Sequence, residues 1–333
     1  MPAPLDCFAV LTISYNYFAT NFPITITTNN PCHLWLRWSV TVPQKHINPI
    51  IVRGAPIGTY IDQCFVAFHD IEQSEPGDRW THTFYSPAWP ACQRRWFYFH
   101  GTVGGIVSPS ASPIFTKHRP WTTTHYSDIN TGATTCDATI TNSPCWLLWP
   151  DFITSTGTGS YPTAATLSIM LYAHTTPDRW RGLRRSIMTF DLTDIPGTHK
   201  VLAAAFYLKL ASKRDTHGDK PHIAVFAATP GAMNNIVPAD LTNIGATPLT
   251  NQIGYDAFGA GPHNEFLFSI PGLAALKPGR LNAIAIRESK FDATGISPPW
   301  VSSKQMYFIT YSVDAPSSTY RPYLKVAHAP LGV

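Results

Sequence analysis

Charge is what this sequence has least of. Only 13% of its 333 residues are Asp, Glu, Lys or Arg, against roughly 25% in an ordinary soluble domain. The 24 basic and 20 acidic side chains leave a formal net charge of +4 and are scattered along the chain. Without a basic stripe there is no electrostatic footprint for nucleic acid, so no nucleic-acid partner is expected. The densest charge, RWRGLRR at 179–185 and KRDTHGDK at 213–220, reads as solvated strand ends and loops. No apolar run approaches the roughly 18 residues of a membrane-crossing helix, and no membrane insertion is expected. Also missing are HExxH, GxSxG, a Walker loop, GxGxxG ahead of a helix and an EF-hand loop. No cofactor is expected, and the chain reads as a non-enzyme.

The six cysteines, Cys7, Cys32, Cys64, Cys92, Cys136 and Cys145, all lie in the first half, and none forms a CxxC or CxxH pair. That removes a metal ribbon. Disulfides and buried free thiols both stay open, and Cys136 with Cys145 is the pair able to close a small loop. The amino-terminal segment MPAPLDCFAVLTISYNYF has neither a basic start nor a clean apolar core. It reads as a first strand rather than a secretory signal.

What the chain has in abundance is proline, 30 residues, with 21 glycines and 13% aromatics. Proline removes backbone donors too often for long helices, so an all-β fold is expected. Short apolar or alternating runs at 8–17, 24–28, 32–42, 50–53, 64–69, 80–85 and 95–103 are separated by turn residues, the pattern of a β-sandwich over 1–118. The segment 119–160 is rich in Thr, Ser and Pro without a sustained period and is expected to be an irregular linker or extended arm. Strand signals resume at 165–173, 185–191, 201–211, 222–227, 265–270, 281–287, 305–311 and 323–327. Eight strands fit a jelly-roll sandwich over 161–333. One short helix is expected at 271–276, before a Pro-Gly stop.

Two strands are large on both faces. CHLWLRWSV carries Trp35 and Arg37 on the face opposite Leu34 and Leu36, and RWFYFHG carries Trp96 and Tyr98 opposite Phe97 and Phe99. A free sandwich alternates apolar inside with polar outside, so a second greasy face implies a cover. Trp35, Arg37, Trp96 and Tyr98 are therefore assembly-interface candidates. Trp146 and Trp149, in the apolar island CWLLWP, join them.

RGLRRSIMTFDLTDIPG at 181–197, VLAAAFYLKL at 201–210 and RPYLKV at 321–326 resemble a DNRLRE-type domain, a jelly-roll module related to carbohydrate-binding modules. Phe190 and Leu192 are expected to face inward, with Ile195, Pro196 and Gly197 turning the corner. HLWLRWSVTVP and RRWFYFHGTVGGIVSPSASPIF are similar to a fibronectin type III or immunoglobulin-like module. Modules of these kinds occur together in phage virion proteins and microbial surface proteins. The resemblance implies a structural or display protein, a phage capsid decoration, fibre or tail component or an extracellular filament, at a virion surface or in an extracellular assembly. Its partners would be copies of itself or other virion or surface proteins. The alternative is a carbohydrate-binding adhesion module whose glycan contacts are Trp180, Trp300 and Tyr320, near strand ends of the second half. Asp215, His217 and Asp219 alternate and are the best-spaced residues for a cation, but Asp and Gly there equally make a hairpin turn. Asp191 and Asp194 are read as turn caps.

Overall fold

The computed structural model describes residues 121–128, 134–143 and 145–330 in full and, of residues 1–120, the backbone of the strands named below. The chain divides into two compact units, Met1–Trp121 with Val333 and Thr122–Gly332.

In the first unit, β1 (Val10–Tyr15), β2 (Pro23–Thr28), β3 (His33–Ser39), β4 (Ile51–Val52), β5 (Ala55–Pro56), β6 (Phe65–His69), β7 (Ser74–Glu75), β8 (Arg79–Tyr85), β9 (Arg94–Val103), β10 (Ile106–Val107) and β11 (Phe115–His118) are all short. They form a four-stranded sheet, β1-β2-β8-β7, a five-stranded sheet in which β10, β9, β3 and β6 run in order with β11 on β9, and the pair β4-β5. Strand β3 lies antiparallel to β9 with Arg37 opposite Tyr98 and Ser39 opposite Trp96. Because directly paired residues share a face, this register puts positions 35, 37, 96 and 98 on one face of the sheet. Their side chains lie outside the described residues.

Nearly everything from 121 to 330 is antiparallel β-structure. The strands are β12 (Trp121–His125), β13 (Asp137–Asn142), β14 (Gly159–Tyr161), β15 (Thr166–Ala173), β16 (Trp180–Asp191), β17 (His199–Leu208), β18 (Leu210–Asp215), β19 (His222–Ala228), β20 (Ile244–Pro248), β21 (Ile253–Gly254), β22 (Asn264–Leu267), β23 (Leu281–Glu288), β24 (Gln305–Tyr311) and β25 (Tyr323–Pro330). Two six-residue helices, α1 (Trp149–Thr154) and α2 (Ile270–Ala275), and two short 3-10 turns interrupt them. One sheet has the order β12-β25-β17-β22; the larger runs β18-β24-β15-β16-β23-β19-β20, with β13, β14 and β21 attached.

One core lies between these sheets. Phe206, Phe266, Leu324 and Val326 come from the smaller sheet; Ile169, Phe190, Val225, Ile286 and Phe308 come from the larger. Strict alternation then sends the neighbouring residues to a second core on the other face of the large sheet. Ile187 of β16, Ala224 and Phe226 of β19 and Ala285 of β23 pack there against Ala138, Ile140, Phe152, Ile236 and Leu241. A strand covered on both faces has no solvent face to mark with polar residues, and every residue from Arg185 to Phe190 is buried, Arg185, Ser186 and Thr189 included.

The second core corrects one expectation. Much of 119–160 is not a free linker: β13 pairs with β16 from Asp137 opposite Met188 to Asn142 opposite Leu183, and α1 buries Trp149 and Phe152. Local bonds accommodate Thr139 and the backbone beside it. Thr139 Oγ1 meets Ser186 Oγ at 3.2 Å, and the Thr189 hydroxyl both receives the Cys136 N–H at 2.7 Å and donates to the Cys136 carbonyl at 2.9 Å. Helix α2 forms one residue before the expected 271–276 start, capped by the Ser269 hydroxyl accepting the Gly272 N–H at 3.2 Å. Gly272 is required there, since an added Cβ would collide with the Leu249 carbonyl oxygen.

Two arginines on neighbouring strands, Arg185 of β16 and Arg287 of β23, converge on Asp292. Arg185 donates through Nε (2.9 Å) and Nη2 (2.6 Å), Arg287 through Nε (3.0 Å) and Nη2 (2.7 Å). The remaining donors tie in neighbouring loops: Arg185 bonds the carbonyls of Leu241 (2.7 Å) and Ile153 (2.8 Å), and Arg287 that of Gly245 (3.0 Å). Burial opposes ionisation of Asp292, but the two guanidiniums hold its carboxyl below the usual carboxylate range.

Candidate functional site

The apolar island 145–149 is pinned by backbone bonds. Cys145 N donates to Arg181 O (3.0 Å), and Leu147 and Trp180 exchange N–H···O bonds of 3.3 and 2.9 Å. Alternation along this bridge turns Trp149 inward and Trp146 outward. Trp149 is 6% exposed, its Nε1 donates to Gly295 O at 2.8 Å, and its ring meets Trp180 edge-on at 4.8 Å. It is core rather than interface, because as the first residue of α1 it packs into the second core. Trp146 is 68% exposed, beside the His174 ring at 5.6 Å, with Leu148 44% exposed. The loops at 174–180 and 300–304 come to the same end: Trp300 Nε1 donates to Arg179 O at 3.2 Å, and Ser303 N to His174 O at 3.5 Å.

Three residues expected to contact sugar are placed differently from one another. Trp180 is 1% exposed and sandwiched among Trp149, Phe152 and His217; with no open ring face it is no glycan platform. It is buried because β16 starts at Trp180, five residues before the expected strand, and points its first side chain into the second core. Trp300 is half-buried against that core. Tyr320, also half-buried, packs on Tyr311 at 4.6 Å and under the Lys209 ammonium at 4.4 Å.

RDTHGD is a turn. The Asp215 carboxylate accepts N–H bonds from His217, Gly218 and Lys220, each at 2.9 Å, which occupies its oxygens. His217 is fully buried beneath Trp180, with Asp219 3.7 Å from its Nδ1. Among the described residues no group of three His, Cys, Asp or Glu is arranged to hold a metal ion. Asp191 caps as expected, accepting the Thr193 N–H at 2.8 Å, whereas Asp194 faces His125 at 3.7 Å. Cys136 and Cys145 are not bridged to each other; both are free thiols. Burial pushes the Cys136 thiol up and that of Cys145 to about 11, so neither is a ready nucleophile. The other four cysteines lie outside the described residues.

Sequence reasoning missed a row of tyrosines across the outer face of the smaller sheet. Tyr207 of β17 is paired with Tyr323 of β25 and with Glu265 of β22. The Tyr207 and Tyr323 rings stack at 4.6 Å with a 16° tilt. Tyr126, 52% exposed, meets Tyr323 at 5.8 Å, and His263 closes on its edge at 5.1 Å. The Tyr207 hydroxyl donates to Glu265 Oε1, so burial and then that carboxylate raise the phenol above its ordinary pKa. Rings, a carboxylate and Lys325 two residues along β25 make a surface able to stack on and hydrogen-bond to a flat polar ligand. The signal was present: in FYLKL and PYLKV, apolar Phe206, Leu208 and Leu324 alternate with Tyr207 and Tyr323.

One buried carboxylate stands apart. Asp137, 1% exposed, accepts the Val313 N–H at 2.9 Å, and burial, reinforced by nearby Asp314, pushes it to about 7. It lines neither the cavity beside Arg280 nor the one beside Arg185. Its folded pKa lies above the unfolded value, so its contribution to stability is complete below about pH 4 and is lost as pH rises through about 7. Burial lowers the pKa of His125 and His328, which acts in the opposite direction below about pH 6.5. Urea titrations from pH 4 to 8 should therefore show Asp137→Asn gaining on the unmodified chain with rising pH, by at most about 1.4 kcal/mol per pH unit. Parallel pH profiles would contradict the assignment.

Compared with known protein families, the chain matches none, and it matches none of the curated proteins either.

Proposed function

We propose that the chain is a non-enzymatic structural subunit displayed on a virion surface or an extracellular filament, such as a phage capsid decoration, fibre or tail component. It acts through contacts with copies of itself or with other surface proteins. In this proposal the first unit is an immunoglobulin or fibronectin III-like sandwich and the second a jelly roll that begins near residue 122 rather than 161. The observation that carries it is Trp146, an indole 68% exposed on a loop held by backbone bonds, with Leu148 beside it. A rigid, exposed tryptophan loses little conformational freedom on docking and contributes large apolar area, which is why the residue is enriched at binding hot spots. The low charge of the chain supports the same reading, since interface centres are depleted of charge.

The test is sedimentation and electron microscopy of the full chain with Trp146→Ser beside it. Multimers or regular particles are expected from the unmodified chain and monomers from the variant, with unfolding free energies within about 0.5 kcal/mol of each other. A unmodified chain that stays monomeric at high concentration overturns the proposal.

Glycan binding is the second reading, favoured by the tyrosine row and no longer by Trp180. It predicts a glycan-array signal that Tyr126→Ala weakens; no signal from the unmodified chain removes it.

A further inference from the structure

A second feature of the Thr122–Gly332 unit is independent of Trp146. An open cavity of about 760 Å³ lies between the corner that leads into β17 and the turn that leads into β23. Its frame is backbone. Gly279 N donates to Leu192 O at 2.9 Å and Leu192 N to Arg280 O at 3.1 Å. Gly279 has a φ of +71° and approaches Gly197 so closely that a Cβ there would lie 3.1 Å from the Gly197 Cα. The groove is thus built by Gly197 of the IPG corner and Gly279 of KPGR together, and needs no rearrangement to exist.

Its lining is one-sided in charge. Lys200, Lys277 and Arg280 stand around it with His199, and no acidic residue lines it. Among the described residues none of these three cations makes an ion pair, and Lys277 Nζ donates to the Ala274 carbonyl, at 2.7 Å. In a chain with so few charges, three uncompensated cations around one cavity are an electrostatic feature that attracts an anion. The floor is aliphatic: Leu276 is buried, Val201 and Leu273 are half-buried against the central core, and Ile270 at the rim is 86% exposed. No Phe, Tyr or Trp lines the groove, so it lacks the broad ring face on which a sugar stacks, and a bare inorganic anion would leave the aliphatic floor wet.

We propose that this groove is a docking site for an acidic peptide segment bearing aliphatic side chains, supplied by another protein. The carboxylates meet Lys200, Lys277 and Arg280, and the aliphatic side chains cover Leu273 and Ile270. The inference does not depend on Trp146-mediated assembly and would stand if that failed.

Fluorescence anisotropy of the full chain with a labelled peptide of alternating Glu and Leu tests it, with Gln-Leu and Glu-Ser peptides of the same length as comparators. The Glu-Leu peptide is expected to bind, and either comparator to bind at least about tenfold more weakly. The double variant K277E/R280E and the single variant L273D should each weaken Glu-Leu binding by about tenfold or more, the first by removing electrostatic complementarity and the second by placing a carboxylate on the floor. K277A/R280A, which adds no repulsion, should weaken it less than K277E/R280E. Thermal unfolding of each variant separates lost binding from lost folding; Lys277 and Arg280 are exposed, so K277E/R280E is expected to stay folded even where L273D, at a position half-buried against the core, loses stability. No binding, equal binding of the Gln-Leu peptide, equal binding of the Glu-Ser peptide, or affinity unchanged in folded K277E/R280E would each overturn the proposal.

Discussion

Asp292→Ala is expected to unfold about 3–5 kcal/mol more easily than the unmodified chain, the usual cost of removing one partner from a buried ion cluster. The side chains of Arg185, Arg287 and Asp292 are 3%, 6% and 1% exposed, so removing the carboxylate leaves two buried guanidiniums without their counter-ion. Two guanidiniums would then face each other across β16 and β23. The loss should also loosen the loops that Arg185 holds at Ile153 and Leu241, exposing α1 first in hydrogen exchange. Replacing all three with apolar residues of similar volume, R185M/R287M/D292L, should cost far less than D292A alone, because the desolvation of three charges disappears with them. Equal stability of D292A and the unmodified chain in urea titrations would show that the cluster carries no net energy.

Trp180→Ala should cost about 3–5 kcal/mol, as large-to-small changes of a buried aromatic do. The ring is packed on Trp149 at 4.8 Å, Phe152 at 5.9 Å and His217 at 5.9 Å, so its removal leaves a cavity walled by rigid rings that cannot collapse into it. A calorimetric unfolding transition shifted down by several degrees is the expected readout, whereas Tyr126→Ala should leave it nearly unmoved. The contrast matters for any sugar-binding assay: a signal lost in Trp180→Ala would report damage to the second core, not a removed contact. An unshifted transition would mean that the ring is not buried as described.

The alternating apolar pattern made most of the second unit legible. Phe190 and Leu192 were read as inward-facing, and both are fully buried; the turn at Asp215 follows from Asp and Gly placement alone. What misled was polarity counted without partners. Asp137–Asn142 is DATITN, which scores as loop, but every residue in it is buried, with the Thr139 hydroxyl beside that of Ser186 and the Asp137 carboxylate accepting the Val313 N–H. The same blindness hid the second core, since a sheet with both faces covered shows no amphipathic alternation to detect. Trp180 and Trp149 were misjudged together: each lies beside charged or turn residues in sequence, and only the bridge between Leu147 and Trp180 brings them into one cluster. The tyrosine row, by contrast, was legible in FYLKL and PYLKV, and needed only the register between β17 and β25 to be recognised.

Strand β25 sits between β12 and β17 in the smaller sheet, although it is made of residues 323–330 and its neighbours are synthesised long before it. On the ribosome, β12 and β17 therefore emerge with unpaired edges facing a gap that nothing earlier in the chain fills. Both edges stay open to wrong partners until translation has passed residue 330. The unit should thus close late and slowly, as folds dominated by distant pairings do, and a nascent chain stalled before residue 323 should remain protease-sensitive throughout its second half.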